Sequence, residues 1–187
     1  MINLRTENNK NIFVFDDVFE SHHTQKFYDF IINSHFQLSL DDSNSNDYHN
    51  QKAFGSSYSI DDLKKLGVIE YLPEDIKKKF DISLETTGRV LVNAITPSGV
   101  FHPHDDSGQG AKWSFLYYAN MKWDLEWGGD TLFLKDDRLT IEHITQCKSN
   151  RVVIFDATIP HLIRPTTNIA PPYRFSVNMT FKEKDNE

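Results

Sequence analysis

The sequence predicts an antiparallel β sandwich or barrel with helices packed on its outside, and three observations carry that expectation. Strand-like runs recur at 88–96, 112–121, 131–135, 139–146, 151–156, 160–164 and 173–182, with no helical pattern between them. Turn chemistry such as Gly108–Gln109–Gly110, Gly128–Gly129 and Asp136–Asp137 separates several of these runs. The helix signals all fall earlier, before residue 88. Regularly spaced strands without intervening helices build sandwiches or barrels.

In chain order, Ile12, Phe13, Val14 and Phe15 read as a short strand. A helix follows at about 21–34, with Phe27, Phe30, Ile31 and Ile32 on its apolar face and Ser21 or Asp17 as its cap. Residues 41–51 are the most polar stretch and predict a long loop that continues towards Tyr58. His49, Phe54 and Tyr58 are the side chains there in reach of a substrate. Short helices are expected at 60–67 and 73–80, the second with Pro73 near its first turn. Lys77, Lys78 and Lys79 read as its solvated face. The last run alternates cleanly: Tyr173, Phe175, Val177, Met179 and Phe181 on one face, Arg174, Ser176, Asn178 and Thr180 on the other.

At 187 residues one domain is expected, with N-terminal helical support over about 1–87 and a β domain over about 88–182. Hydrophobic residues make up 39% and aromatics 13%, which fits a packed globule and excludes a disordered chain. A formal charge of -7 argues against nucleic acid as a partner. The single Cys147 rules out an internal disulfide framework. The first eleven residues lack a signal-peptide core and no apolar run reaches membrane-spanning length, so a soluble cytoplasmic protein is the expectation.

The chemistry gathers at Phe101–His102–Pro103–His104–Asp105–Asp106. In an extended segment His104 and Asp106 point the same way, as two adjacent ligands of a divalent metal would. His161, after the strand-like run 151–156, completes a set of two histidines and one carboxylate. That set, with its remaining positions open, suits non-haem Fe(II) and oxygen chemistry. His102 also shares a face with His104, so a three-histidine site with His161 is the competing arrangement. Arg174 and Ser176, two residues apart on the polar face of the last run, are placed to grip a carboxylate. His22, His23, His35 and His143 show no partner pattern, and Trp113, Trp123 and Trp127 read as packing residues.

The order His-x-Asp, distal His, then Arg-x-Ser resembles the Fe(II)/2-oxoglutarate-dependent oxygenases, in particular their prolyl 4-hydroxylase-like branch. His104–Asp106, His161 and Arg174–Ser176 carry the likeness, supported by Phe115–Asn120, Trp123–Thr131 and Arg151–Asp156. It covers roughly residues 88–182. It implies a double-stranded β-helix, the jelly-roll or cupin-like barrel, and a 2-oxoglutarate-dependent dioxygenase that hydroxylates an aliphatic C–H. His104, Asp106 and His161 would hold Fe(II), and Arg174, Ser176 and Tyr117 would bind 2-oxoglutarate. O2 is consumed, succinate and CO2 are released, and ascorbate is a supporting reductant. Asp106 favours hydroxylation over halogenation, because related halogenases carry a small residue there. Asn93 and Thr96 stand where relatives often have a tyrosine near the co-substrate, and Ala119 replaces a usual leucine. Peptidyl-proline, an amino acid or another small molecule is the substrate class. The rival readings are a cupin-like isomerase or epimerase on His102, His104 and His161, and a non-catalytic jelly-roll binding module.

Overall fold

The structure, a computed structural model, describes residues 1–39, 53–97, 99 and 101–183. Two sheets face each other. The smaller contains β7 (Thr131–Leu134), β8 (Ile141–Thr145) and β10 (His161–Ile163), in the order β10-β7-β8. The larger is built round a central trio, β5 (Thr87–Ile95), β6 (Ala111–Tyr118) and β11 (Arg174–Lys182), with β9 (Val152–Asp156) beside β6. Its flanks come from the N-terminal part: β1 (Ile2–Arg5) and β2 (Asn11–Phe15) on one side, β3 (Gln37–Ser39) and β4 (Ala53–Ser57) on the other. The order is β1-β2-β9-β6-β11-β5-β4-β3, antiparallel at every pairing. This is the double-stranded β-helix expected from the resemblance.

The register fixes which side chains share a face. Val177 pairs with Val92 and with Tyr117, whereas Ser176 pairs with Asn93 and with Tyr118. Cross-strand partners point the same way. The Val177 row therefore looks outward and the Ser176 row inward, towards the smaller sheet. Outside, α1 (Ser21–Ile32), α2 (Ile60–Leu66) and α3 (Glu74–Phe80) cover the sheet. Phe27 and Ile31 of α1, Leu63 and Leu66 of α2, and Ile76 and Phe80 of α3 bury against Phe13, Phe15, Phe115 and Val177. Each such side chain contributes roughly 1.5–3 kcal/mol on leaving water. A second, smaller core between the sheets holds Leu116, Tyr118, Phe133, Val153 and Phe155.

Helix termini follow local chemistry only in part. Ser59 caps α2 in a capping box with Asp62, and Gly67 ends it in the left-handed conformation. The N-cap of α1 is Glu20, without a side-chain cap bond, so neither Ser21 nor Asp17 serves as expected.

Strands β1, β3 and β4 were not among the expected elements. Residues 1–87 thus supply four strands of the larger sheet as well as the helices. Of the expected loop, 53–57 is β4, while 41–52, including His49, lie outside the described residues. Phe54 pairs with Ala94 on the outward face and packs on Tyr173, with ring centres 6.3 Å apart. Tyr58 packs on Phe30 and hydrogen-bonds Ser34. Neither reaches the inner face. No helix among the described residues is long and apolar enough to cross a membrane.

Candidate active site

The inner face of the larger sheet carries polar groups in rows: Thr180 with Ser114, then Asn178 with Leu91 and Leu116, then Ser176 with Asn93 and Tyr118, then Arg174 with Ile95. Two sites stand at the two ends of these rows.

At the Ser114 end, His104, Asp106 and His161 each turn a ligand atom into one space, all within 4.8 Å of one another. Backbone pairing creates this meeting. The amides of His104 and His161 donate to each other's carbonyls at 3.0 and 2.8 Å, which adds the 104 segment to the edge of β10. The Asp106 amide donates to Ala157 at 2.9 Å. Each imidazole is oriented by its own backbone: Nδ1 of His104 donates to the His102 carbonyl, and Nδ1 of His161 to that of Ile159, both at 3.0 Å. Nε2 is left in both rings as the free ligand atom. Asp106 Oδ2 lies 3.7 Å from His161 Nε2 and accepts from the Ser114 hydroxyl at 2.7 Å, while Oδ1 accepts from Arg89 at 2.7 Å.

Protonation states match a metal site. Burial, with His104 alongside, pushes the His161 imidazole down to about 4, so it is neutral near pH 7. Burial opposes ionisation of Asp106, but His161, Arg89 and the Ser114 hydroxyl outweigh it and hold the carboxyl below its ordinary range. Two imidazoles and one carboxylate make the donor set that suits Fe(II). His102 is not part of this cluster; it contributes its carbonyl to His104. Asp105 faces away, bonded to Ser107 and Arg138.

At the far end, Arg174 is 0% exposed. Its guanidinium lies 4.8 Å over the Tyr118 ring, beside the Cys147 thiol, and Nη1 makes a long contact to the Ser176 hydroxyl at 3.5 Å. Nε and Nη2 have no hydrogen-bond partner, and no carboxylate pairs with Arg174 among the described residues. A buried cation left so is costly unless an anion meets it. Two hydroxyls, Thr166 Oγ1 and Thr145 Oγ1, are buried and unpartnered as well. Thr166 shares with Arg174 the space over Gly129, and the Thr145 carbonyl accepts from the Tyr118 hydroxyl. Gly129 makes this packing feasible: a Cβ there would stand 2.8 Å from Arg174 Cδ and 3.1 Å from Thr166 Cγ2. The unpartnered donors gathered here are of the kind a carboxylate would satisfy.

One expected residue is on the wrong face. Tyr117 pairs with Val177 and packs edge-on against Phe19 and Phe27, at 5.2 and 5.9 Å, in the outward core. Tyr118 takes the inner position, with its hydroxyl 2.8 Å from Thr131 and its acidity weakened by burial to about 12. The alternation held the clue: Phe115, Tyr117 and Ala119 form an apolar set, whereas Ser114, Tyr118 and Asn120 share the polar-bearing face. Arg89, Ser114 and Thr166 were also missed; each is a common polar residue whose role comes only from its neighbours.

Comparison with known proteins agrees with this geometry. Residues 90–182 match the family model described as the 2OG-Fe(II) oxygenase superfamily. Among curated proteins none matches the sequence. Among solved structures, the chain resembles a Trichoplax adhaerens prolyl hydroxylase in complex with a hypoxia inducible factor oxygen degradation domain peptide fragment. There the TM-score is 0.66 at 15% identity, over 91% of this chain and 83% of that one. It also resembles a Pseudomonas putida prolyl-4-hydroxylase, with a TM-score of 0.61 at 13% identity over 93% of each chain. A Burkholderia pseudomallei oxidoreductase of the 2OG-Fe(II) oxygenase family gives 0.65 at 9%, over 91% and 85%. At such identities the likeness establishes the fold.

Proposed function

This chain belongs to the 2OG-Fe(II) oxygenase superfamily, and from that premise we propose that it hydroxylates an aliphatic C–H of a prolyl or related amino-acid substrate. As a 2-oxoglutarate-dependent dioxygenase it would hold Fe(II) on His104, Asp106 and His161. Arg174 and the Ser176 hydroxyl would receive the far carboxylate of 2-oxoglutarate, with the Tyr118 ring beneath the guanidinium. The iron, when bound, supplies the oxygen activation that amino-acid side chains cannot. The protein's part is orientation: backbone carbonyls set both imidazoles, Arg89 and Ser114 set the carboxylate, and the apolar walls Leu91 and Leu116 keep water scarce. O2 would be the oxidant consumed, with ascorbate a supporting reductant. A cytoplasmic setting agrees with the single buried thiol. The whole chain acts as one catalytic domain, because the sheet draws strands from both of its halves.

Peptidyl-proline is the first substrate to test, since the Trichoplax neighbour is a prolyl hydroxylase holding a peptide. A cupin-like isomerase would need no dicarboxylate and leaves Arg174 without a purpose.

The observation that carries this reading is the buried guanidinium with two unpartnered nitrogens on the same inner face as the triad. Charge-assisted bonds contribute about 1.5–3 kcal/mol, and about 1.4 kcal/mol is a factor of ten. Arg174→Ala should therefore weaken 2-oxoglutarate about ten- to a hundredfold while leaving metal binding nearly intact. Calorimetry on the Mn(II)-loaded protein without oxygen measures both. Unchanged 2-oxoglutarate affinity in Arg174→Ala would remove the co-substrate assignment.

A further inference from the structure

We propose that Arg89 is a positioning residue that holds Asp106 as a one-oxygen metal ligand; the proposal rests on the triad reading above. The two oxygens of Asp106 have different neighbours. Oδ2, on the side of His161, accepts from Ser114 of β6, and Oδ1 accepts from Arg89 of β5, each at 2.7 Å. Between those strands runs β11, where Thr180 pairs with Ser114 and its hydroxyl accepts from the Arg89 amide at 2.9 Å. The carboxylate is thus held from β5 and β6, one donor to each oxygen, while Thr180 of β11 anchors the Arg89 backbone between them. Such donors hold a ligand in a single orientation.

Orientation matters because coordination positions are few. Two imidazoles and one carboxylate oxygen occupy half of an octahedral sphere, and a carboxylate that swings to bind through both oxygens takes a further position. That position is one the co-substrate needs. The charge of Arg89 acts in two directions: it repels a divalent cation, yet it helps keep Asp106 ionised; its distinct contribution is orientation. Arg138 provides an internal contrast. Its Nη2 binds Asp105 at 2.5 Å, one residue before the ligand, and touches no ligand atom.

The test uses the full chain loaded with Mn(II) without oxygen. Water-proton relaxation reports exchangeable waters on the ion, and calorimetry reports 2-oxoglutarate binding. Arg89→Met should still bind Mn(II), about tenfold more weakly, and at saturating Mn(II) should carry one water fewer than the parent and bind 2-oxoglutarate about tenfold more weakly. Arg89→Lys, which keeps the charge and a donor, should recover most of both. Arg138→Met should match the parent. If Arg89→Met equals the parent in water count and 2-oxoglutarate affinity, Arg89 is a surface ion pair only and the proposal is wrong. If the parent shows no Mn(II) binding that depends on His161, the triad reading itself fails, and this proposal falls with it.

Discussion

The two faces of the larger sheet differ in almost every respect although the same strands make them. Outward, β11 presents Phe175, Val177, Met179 and Phe181, sealed under three helices. Inward, it presents Arg174, Ser176, Asn178 and Thr180, and several neighbours on that face, such as Leu91 and Asn93, are only half buried. One face earns the stability and the other spends part of it on a buried cation whose Nε and Nη2 lack hydrogen-bond partners. A period of two lets a single strand do both, so stability and ligand binding should be separable by substitution at adjacent positions.

The largest effect should come from the outward face. Phe27→Ala removes a fully buried ring that packs on Phe19 and Tyr117. Urea unfolding should show a loss of about 3–5 kcal/mol, with Mn(II) affinity of the folded fraction unchanged. A large drop in that affinity would show that the faces are coupled. On the inner face, His161→Ala should do the reverse. Losing a ligand should cost more than the roughly hundredfold upper range for its supporting shell, seen in Mn(II) titrations, with little change in the urea midpoint. A strongly lowered midpoint would make His161 a core residue first.

A sharper contrast sits one peptide apart. Tyr118→Phe loses the hydroxyl bonded to Thr131 beneath Arg174, and should weaken 2-oxoglutarate by about 1 kcal/mol. Tyr117→Phe should not alter it. Calorimetry giving the opposite order would reverse the face assignment of β6.

The smallest effect concerns pH and an ion pair away from both faces' chemistry. Hydrogen bonding to Arg151 holds the Asp16 carboxyl below its ordinary 3.8, against a modest opposing effect of burial. A depressed folded pKa contributes stability above the unfolded value and loses it as pH falls through the folded one. The difference in urea midpoint between the parent and Asp16→Asn should therefore be present near neutrality and shrink in acid below about pH 4. A difference that grows on acidification would have the wrong sign for this pair.

Much of this contrast was legible in the residues. The alternation from Tyr173 to Phe181 separates the two faces of β11 without any coordinates, and the spacing of His104 and Asp106 places them together. What escaped has physical causes. β3 is three residues, β4 is Ala53–Phe54–Gly55–Ser56–Ser57, and β1 lies among polar neighbours. Their strand character comes from pairing with β5 and β2 and not from their own propensity. Tyr117 and Tyr118 are chemically equivalent, so a motif match could not choose between them; register with Ser176 could. Arg89 bonds a residue seventeen positions away, a contact that only the closure of the sheet creates.

Gly129 carries a consequence of another kind. Its backbone is in the left-handed region at φ 76, and the space where a side chain would begin is taken by Arg174 and Thr166. Any other residue at 129 meets both a strained backbone and a collision. The two positions therefore form one unit in mutational history. Arg174 can be replaced by something smaller while Gly129 stays, whereas a change at Gly129 with Arg174 in place adds a collision to the backbone strain that any other residue there would carry. Descent from this chain towards a protein with a different co-substrate has a preferred order of steps, with position 174 first and position 129 second.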